Sequence, residues 1–180
     1  EVGVPQGESI SPLLCNIYLD LLDRRFEQEG LCFVRYADDY LVLCESVAQS
    51  EAALGLMRTV LGEHLHLELK QNKTQLCDMR EGTRFLGFDL STSGVRIPAD
   101  KCDDIIERAL PLAQRAVDAG CSTAEQSDAR HRLDALTQGF RNYYAVDDPG
   151  EIPRQLLELD HRLAAELVIA PQSEPLWDAR

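Results

Sequence analysis

Two adjacent carboxylates, Asp38 and Asp39, stand inside the otherwise apolar stretch FVRYADDYLVLC at residues 33–44. Neighbouring anions repel each other and resist burial, so the pair needs a compensating charge or contact with water. Mg²⁺ supplies such a charge, because it prefers oxygen ligands and is often held by one or two carboxylates together with substrate phosphates. A solvated Asp-Asp turn is the alternative, and it is the commoner outcome for this dipeptide alone. Zinc fits poorly, since no His or Cys stands next to the pair.

A hairpin is predicted to position the two carboxylates. Residues 31–36 and 40–44 are rich in β-forming side chains, and the ADD segment between them has the length of a hairpin turn. Side chains of neighbouring residues on a regular strand point to opposite faces, so a turn is required to bring both carboxylates toward one ligand. We therefore expect Asp38 and Asp39 at the tip of a two-stranded ribbon.

The hairpin is preceded by a predicted helix from Ser11 to about Phe26, with Ser11 as its cap and Pro12 at its first position. Apolar side chains at helical spacing predict a buried stripe on this helix. They are those of Leu13, Leu14, Ile17, Tyr18, Leu21, Leu22 and Phe26. Asp20 and Asp23 lie on another face, which we interpret as solvated.

Three more elements are predicted before residue 98. A second helix covers residues 47–63, and the alternation of Leu65, Leu67 and Leu69 predicts a strand. A further hairpin is expected over residues 84–97, with Ser93 and Gly94 in its turn. Together with the first hairpin, these elements predict an α+β fold.

The pattern becomes entirely helical after Pro98. One helix is predicted over residues 99–119, bent at Pro111. The sequence STAE, from Ser122 to Glu125, has the form of a capping box and predicts the start of the next helix. A last helix is expected over residues 153–170. The C-terminal part is therefore predicted to be a three-helix unit.

The overall composition is that of an ordinary globular protein, but its charge is unusual. The 180 residues include 18 basic and 31 acidic side chains, for a net charge of −13. This acidity counts against tight binding of nucleic acid, because phosphate contacts are normally made by Lys and Arg.

No apolar stretch is long enough to span a membrane. The six cysteines are scattered, which favours a reducing cytoplasm.

Four segments occur in an order that resembles the reverse transcriptases encoded by bacterial and organellar group II introns, and their CRISPR-associated relatives. They are GVPQGESISPLLCNIYLDLLD, RYADDYLVLC, LELKQNKT and FLGFDL. A fifth segment, LTQGFRNYYAV at residues 136–146, resembles the thumb, or X domain, of intron maturases. Four motifs in order are far more specific than an isolated YADD sequence.

The resemblance implies a polymerase right-hand architecture. Residues 1–97 would form part of the palm, a ferredoxin-like antiparallel sheet with helices on one face, and residues 98–170 an all-α three-helix thumb. Residues 171–180 are expected to be a flexible C-terminus. The family's palm has a further Asp on a strand that precedes the PQG loop, and that strand and the fingers are expected to be missing here. We therefore expect this polypeptide alone to be inactive and to expose a sheet edge that could pair with another copy.

The resemblance also assigns roles in catalysis. Asp38 and Asp39 match the pair that binds catalytic Mg²⁺, with Mn²⁺ as an alternative ion, and Asp38 is the stronger candidate for a direct ligand. Lys73 matches a basic residue proposed to protonate the leaving pyrophosphate. In such a two-ion reaction, one ion activates the primer 3′-hydroxyl and the other stabilises the pyrophosphate oxygens.

Other motif residues match positions that contact the nucleotide, the template or the primer. They are Pro5, Gln6 and Gly7 of the PQG loop, Tyr36 and Ala37 beside the carboxylates, Phe85, Leu86, Gly87 and Phe88 of the primer grip, and Asn142, Tyr143 and Tyr144 of the thumb signature. Structural alternatives stay open for several of them. Gly87 could serve only tight hairpin packing, Lys73 could be a solvated turn residue, and the two tyrosines could be helix-packing aromatics.

The function implied by the resemblance is RNA-directed DNA polymerisation in the bacterial cytoplasm. Its partners would be an RNA template, a DNA or RNA primer and dNTP. Intron RNA and CRISPR adaptation proteins are further candidate partners, and no membrane interaction is expected. The alternative is a non-catalytic module for protein interaction or RNA positioning, which the acidity and the missing carboxylate favour. A nucleotide cyclase is a third and weaker hypothesis, because the PQG loop and the thumb-like helices argue against it.

Overall fold

The computed structural model describes residues 8–145 and 150–166. The chain divides into two compact units, Glu1–Leu76 and Cys77–Arg180, and each is considered separately. The predicted nucleotide-contacting residues Pro5, Gln6 and Gly7 lie outside the described residues. Of the helices that are described, none is long and apolar enough to cross a membrane.

The first unit contains two helices with one hairpin between them. Its elements are α1 (Ser11–Gln28), β1 (Cys32–Tyr36), β2 (Asp39–Leu43) and α2 (Val47–Thr59), followed by a π-helical turn (Val60–His64) and a 3₁₀ turn (Gln71–Lys73). Strands β1 and β2 pair antiparallel. These positions agree with the predicted first helix, hairpin and second helix.

The core of the first unit lies between α1 and the end of α2. Leu22 and Phe26 of α1 are fully buried and pack with Met57, Val60 and Leu61. The hairpin lies against the same cluster, because the Phe26 ring makes edge-to-face contacts with aromatic side chains of both strands. Such contacts fix the hairpin to the helix more specifically than aliphatic packing would.

Helix α1 differs from its prediction in two respects. Ile10 is the residue that caps it, without a side-chain hydrogen bond, and Ser11 is already its first helical residue. The buried face is also narrower than expected. Leu19, Leu22 and Phe26 are buried, whereas most of the predicted stripe is exposed: Leu13, Leu14, Ile17, Tyr18 and Leu21. The apolar surface of α1 extends further around the helix than the described elements of this unit cover.

The strand predicted over Leu65, Leu67 and Leu69 is wrong. No strand is assigned at residues 65–70. His66 takes a left-handed backbone conformation with φ of 50°, and the amide of Leu67 donates back to the carbonyl oxygen of Leu61 at 2.8 Å. This bond ends the preceding helix and turns the chain, so the alternation of leucines does not correspond to an extended segment.

The second unit begins with a three-stranded antiparallel meander and continues with three helices. Its elements are β3 (Thr83–Phe85), β4 (Phe88–Ser91), β5 (Gly94–Arg96), α3 (Ala99–Val117), α4 (Thr123–Tyr144) and α5 (Glu151–Glu166). The predicted capping box is present, because the Ser122 hydroxyl accepts from the Glu125 amide while the Glu125 carboxylate accepts from the Ser122 amide. Helix α3 is assigned without interruption through Pro111.

The core of the second unit joins the meander to the helices. Ile97, Ile105, Tyr144, Ile152 and Leu163 belong to one buried cluster, and Phe88 and Val95 pack against it. At the end of β5, the Gln155 side chain accepts from the amide of Ile97 at 2.8 Å and donates to its carbonyl oxygen at 3.0 Å. These contacts attach the meander to the helices, and both belong to the unit that begins at Cys77. The predicted division near residue 98, where strands give way to helices, stays a prediction.

The α+β prediction is confirmed in its coarse form, as five helices and small antiparallel sheets in the described part of the chain. The expected single ferredoxin-like sheet is not formed by these residues. They form a two-stranded sheet, β1–β2, and a separate three-stranded sheet in the order β3–β4–β5. The assignment of the two parts as palm and thumb stays a prediction.

Candidate functional site

The two carboxylates lie at the tip of the β1–β2 hairpin, as the sequence predicted. Tyr36 pairs with Asp39 across the strands, so the turn consists of Ala37 and Asp38. Asp38 is therefore a turn residue and Asp39 is the first residue of β2, and both side chains are exposed. Ala37 has φ of 54°, a left-handed conformation that costs a non-glycine residue about 1 kcal/mol.

The turn is connected to helix α1 through Arg35. The Arg35 Nη1 atom donates to the carbonyl oxygen of Ala37 at 3.1 Å and to Oδ1 of Asn16 at 2.8 Å. The same guanidinium donates through Nε and Nη2 to the carboxylate of Asp23, at distances of 2.5–3.0 Å. One planar side chain thus links the backbone of the carboxylate turn to two positions on the helix.

The Arg35–Asp23 pair is largely shielded from water, with 14% and 18% of the two side chains exposed. Asp23 also accepts a hydrogen bond of 2.8 Å from the Tyr40 hydroxyl. Burial, followed by this hydrogen bond, raises the pKa of Tyr40, and the hydrogen bond to Asp23 raises the pKa of Arg35. The interpretation of Asp23 as part of a solvated face is therefore wrong.

Sequence reasoning missed this supporting network. A usable signal was the presence of Arg35 inside an apolar strand, because a charge on a strand that packs against a helix requires a partner. Asn16, Asp23 and Arg35 also line an open cavity of about 700 Å³ between α1 and β1. The network thus borders a polar space next to the hairpin.

The chemistry of Asp38 and Asp39 suits a divalent cation, because both offer exposed carboxylate oxygens and Mg²⁺ prefers oxygen ligands. Two carboxylates are a small ligand set. Within residues 8–145 and 150–166, no three His, Cys, Asp or Glu side chains form a group that could hold a metal ion. The described residues could therefore provide part of a divalent-ion site.

The predicted general acid, Lys73, lies in the same unit as the carboxylates. It ends the 3₁₀ turn Gln71–Lys73, its side chain is exposed, and its amide donates to the carbonyl oxygen of Lys70 at 3.1 Å. An exposed lysine on a short turn can reach a phosphate, but the same geometry suits a solvated residue. Its role stays a prediction.

In the second unit, the FLGF segment forms the hairpin between β3 and β4. Phe85 pairs with Phe88, so Leu86 and Gly87 make the turn, and both have positive φ, 48° and 75°. Positive φ at both central residues defines the type I′ turn that suits the twist of a two-residue hairpin. Gly87 meets this requirement without strain, whereas Leu86 is an unusual residue in this conformation.

The predicted thumb signature contacts this turn directly. The Tyr143 hydroxyl donates to the carbonyl oxygen of Leu86 at 2.7 Å, and the Tyr144 hydroxyl donates to that of Gly87 at 3.1 Å. Burial raises the pKa of Tyr144 to about 12. Asn142 is exposed and accepts from the Gln138 side chain at 2.6 Å, on the same helix.

The structure therefore brings together some of the predicted residues within each unit. In the first unit it places Tyr36, Ala37, Asp38 and Asp39 on one hairpin tip. In the second unit it brings the tyrosines of the predicted thumb signature into contact with the predicted primer-grip turn. The contacting residues Leu86 and Tyr143 are 57 positions apart in the sequence. The roles of these residues in binding or catalysis stay predictions.

Comparison with known proteins gives a family match and two curated relatives. The family model for reverse transcriptase (RNA-dependent DNA polymerase) matches residues 1–90, half of the chain. This range contains the PQG, YADD, KQNKT and FLGF segments, and Tyr143 and Tyr144 lie beyond it.

The two relatives are much longer than this chain. The COX1/OXI3 intron 2 protein of Saccharomyces cerevisiae is 24% identical over 149 residues, covering 51% of this chain and 17% of the relative. Protein YkfC of Escherichia coli is 30% identical over 122 residues, covering 49% of this chain and 32% of the relative. The chain thus spans less than one third of the length of either protein.

Proposed function

Because this chain belongs to the reverse transcriptase (RNA-dependent DNA polymerase) family, we propose that it is the part of an RNA-directed DNA polymerase that carries the YADD carboxylates and a primer-contacting hairpin. The family match confirms the recognition of a reverse transcriptase that was made from the motifs. The similarity to an intron protein supports the proposal that it is of the intron type. The activity and substrates of the whole protein are proposals that follow from this membership.

The observation that carries the proposal is the geometry of the YADD hairpin. Asp38 and Asp39 are exposed at its tip, and Arg35 ties the turn to helix α1 through contacts with Ala37, Asn16 and Asp23. A simple solvated turn would not need such a shielded ion pair behind it. A polymerase does need this arrangement, because its carboxylates must be held in place while they remain accessible to the nucleotide.

We propose that Asp38 and Asp39 provide oxygen ligands to Mg²⁺, with Mn²⁺ as an alternative, and that Asp38 is the stronger candidate for a direct ligand. When bound, such ions supply Lewis-acid activation of the primer 3′-hydroxyl and neutralise phosphate charge. The contribution of the chain is to hold the two carboxylates together on a short turn. Further ligands would have to come from outside the described residues.

The remaining site residues are proposed to handle the leaving group and the nucleic acid. Lys73 would donate a proton to the leaving pyrophosphate. Tyr36, Ala37 and the PQG loop, Pro5 to Gly7, would line the nucleotide and template positions. Phe85, Leu86 and Gly87 would contact the primer, and Asn142 and Tyr143 would face the duplex.

The proposed partners are an RNA template, a DNA or RNA primer and dNTP. One relative is named as an intron protein, so intron RNA is a further proposed partner, and CRISPR adaptation proteins are an alternative suggested by the motifs. Self-association through an exposed sheet edge and a bacterial cytoplasmic location are likewise proposals.

The test is primer extension by the longest natural polypeptide that contains this chain. We expect template-dependent incorporation of dNTP in the presence of Mg²⁺, and we expect Asp38→Ala to reduce it at least about 100-fold, since one ligand of the reacting centre is removed. Asp128→Ala is the matched control, because Asp128 is an exposed carboxylate in a surface ion pair with Arg132. Equal activity of Asp38→Ala and the control would contradict the proposal.

The net charge of −13 favours a second candidate, a non-catalytic module that binds a protein or positions RNA. A basic surface normally drives binding to phosphates, so an acidic chain suits a protein partner better. This candidate predicts that the longest natural polypeptide lacks Mg²⁺-dependent incorporation and that Asp38→Ala leaves its partner binding unchanged. The primer-extension experiment therefore separates the two.

A further inference from the structure

We propose that Tyr143 and Tyr144 are positioning residues that fix the Leu86–Gly87 turn to the C-terminal end of helix α4. On this view the hairpin turn and the helix form one body, and the position of the turn depends on the two hydroxyl groups. The inference concerns the second unit alone. Its consequence for primer binding rests on the function proposed above.

The first argument is the pattern of hydrogen bonds. Two consecutive tyrosines donate to the carbonyl oxygens of two consecutive turn residues, Tyr143 to Leu86 at 2.7 Å and Tyr144 to Gly87 at 3.1 Å. The central carbonyl groups of a two-residue hairpin turn have no partner in the strand ladder, and such groups commonly bind water. Here both of them accept from the same helix end.

The second argument is the packing of the rings around Phe88, the first residue after the turn. The Phe88 ring stacks on Tyr143 with an angle of 13° between the ring planes and meets Tyr144 edge-on, with centroid distances of 5.9 and 5.1 Å. Aromatic contacts of these two geometries are both favourable. The side chain that follows the turn is thus held by the same two tyrosines that bind the turn backbone.

The third argument is the close approach at Gly87. A Cβ atom added there would lie 3.0 Å from the Tyr143 hydroxyl oxygen. The absence of a side chain at this position, together with its positive φ, lets the tyrosine reach the backbone. Gly87 therefore serves the contact with the helix as well as the turn itself.

The two tyrosines differ in burial, which makes the proposal testable. Tyr144 is 3% exposed and belongs to the core, whereas Tyr143 is 57% exposed. Replacing Tyr143 by Phe removes one hydroxyl from an exposed side chain and keeps the ring that stacks on Phe88. Folding should be preserved, so a change in the behaviour of the turn can be attributed to the lost hydrogen bond.

A matched control exists in the first unit. The Tyr18 hydroxyl donates to the carbonyl oxygen of Leu65 at 2.5 Å, and Tyr18 is 49% exposed. Tyr18→Phe therefore removes the same kind of hydrogen bond from a side chain of similar exposure. It should leave the Leu86–Gly87 turn unchanged.

The first measurement is amide hydrogen exchange of the 180-residue chain, which does not depend on any catalytic activity. We expect Tyr143→Phe to increase the exchange rates about fivefold at Phe85 and Phe88, the pair that closes the turn, which is the change that corresponds to one lost hydrogen bond. Tyr18→Phe should show wild-type rates at these two amides. Wild-type rates in Tyr143→Phe as well would overturn the proposal.

The second measurement is primer extension by the longest natural polypeptide. If the turn positions the primer, Tyr143→Phe should raise the KM for primer–template about threefold or more while kcat stays within twofold of the wild-type value. Faster turn exchange combined with an unchanged KM would overturn the primer-positioning role. If the wild-type protein extends no primer, the proposed polymerase function fails, whereas the exchange measurement still decides whether the tyrosines fix the turn.

Discussion

At the scale of single residues, the carboxylates depend on a side chain that takes no part in the predicted chemistry. Arg35 uses one guanidinium to bind the turn backbone at Ala37 and two side chains on α1. Its planar arrangement of donors allows this, and a lysine could not reproduce it. Arg35 thus positions the turn that carries Asp38, although Arg35 itself has no role in the predicted reaction.

Another single residue, Asp160 of α5, is expected to make stability depend on pH. Its Oδ1 atom is buried and has no hydrogen-bond partner among the described residues. Burial raises its pKa to about 7, against a smaller opposite effect of Arg141. The unfolded chain releases this proton near pH 4. The folded state therefore loses stability as the pH rises from about 4 to about 7, and little further above that range.

The prediction is that Asp160→Asn, which keeps the side chain neutral at every pH, stabilises the protein at pH 8 by about 1–3 kcal/mol and changes little at pH 4. Urea unfolding at the two pH values measures the difference. Asp128→Asn is the control, since its carboxylate is exposed and paired with Arg132, and it should change stability by less than about 0.5 kcal/mol. A pH-independent effect of Asp160→Asn would contradict the assignment.

At the scale of secondary-structure elements, both candidate hairpins are connected to a helix by side-chain hydrogen bonds. In the first, Arg35 of β1 binds its own turn and the α1 side chains of Asn16 and Asp23, and in the second, two tyrosines at the end of α4 bind the β3–β4 turn. Short hairpins are marginally stable alone, so such contacts decide where their tips lie. The local sequence encodes the turn, and the helix supplies its position.

We predict that Arg35→Lys destabilises the β1–β2 hairpin by about 2–3 kcal/mol, because Asp23 is left with a poorer partner in a shielded position. Native-state hydrogen exchange of the amides in Cys32–Tyr36 and Asp39–Leu43 measures the change. The matched control is Arg24→Lys, which alters an exposed pair with Asp20, 69% and 51% exposed. The control should change stability by less than about 0.5 kcal/mol. Equal effects of the two substitutions would show that the Arg35 network does not hold the hairpin.

At the scale of the whole molecule, the acidity of the chain limits how it can bind nucleic acid. The net charge of −13 repels a phosphate backbone, so a divalent cation or a basic segment beyond these residues would have to compensate. The large exposed apolar side chains of α1 also distinguish this chain from a typical isolated domain. Both features agree with the proposal that the chain acts as part of an RNA-directed DNA polymerase.

We therefore predict that the 180-residue chain alone binds primer–template weakly and makes few phosphate contacts. A plot of log K against log salt concentration should have a slope shallower than about −3, because each neutralised phosphate contributes about −0.9. Fluorescence anisotropy with a labelled primer–template between 50 and 200 mM salt, roughly the range over which counterion release is resolved, measures the slope. A much steeper slope would reveal a basic surface that the overall charge conceals.

The sequence by itself determined the features that depend on local residue order. The β1–β2 hairpin with Asp38 and Asp39 at its tip, the capping box at Ser122 and the family were all identified from motifs and spacing. These features persist because turn geometry, helix capping and the chemistry of adjacent carboxylates are properties of a few neighbouring residues. Knowledge of tertiary contacts was not needed to identify them.

Only the tertiary structure decided which residues face one another. The pairing of Arg35 with Asp23, the contact of Tyr143 with the Leu86–Gly87 turn and the turn at His66 in place of a strand all depend on residues distant in sequence or on how a helix ends. The spacing of apolar residues predicts which side chains share one face of a helix. It does not predict whether another element covers that face, as the exposed Ile17 shows. Burial and partner choice result from packing between elements, and packing is a property of the folded chain.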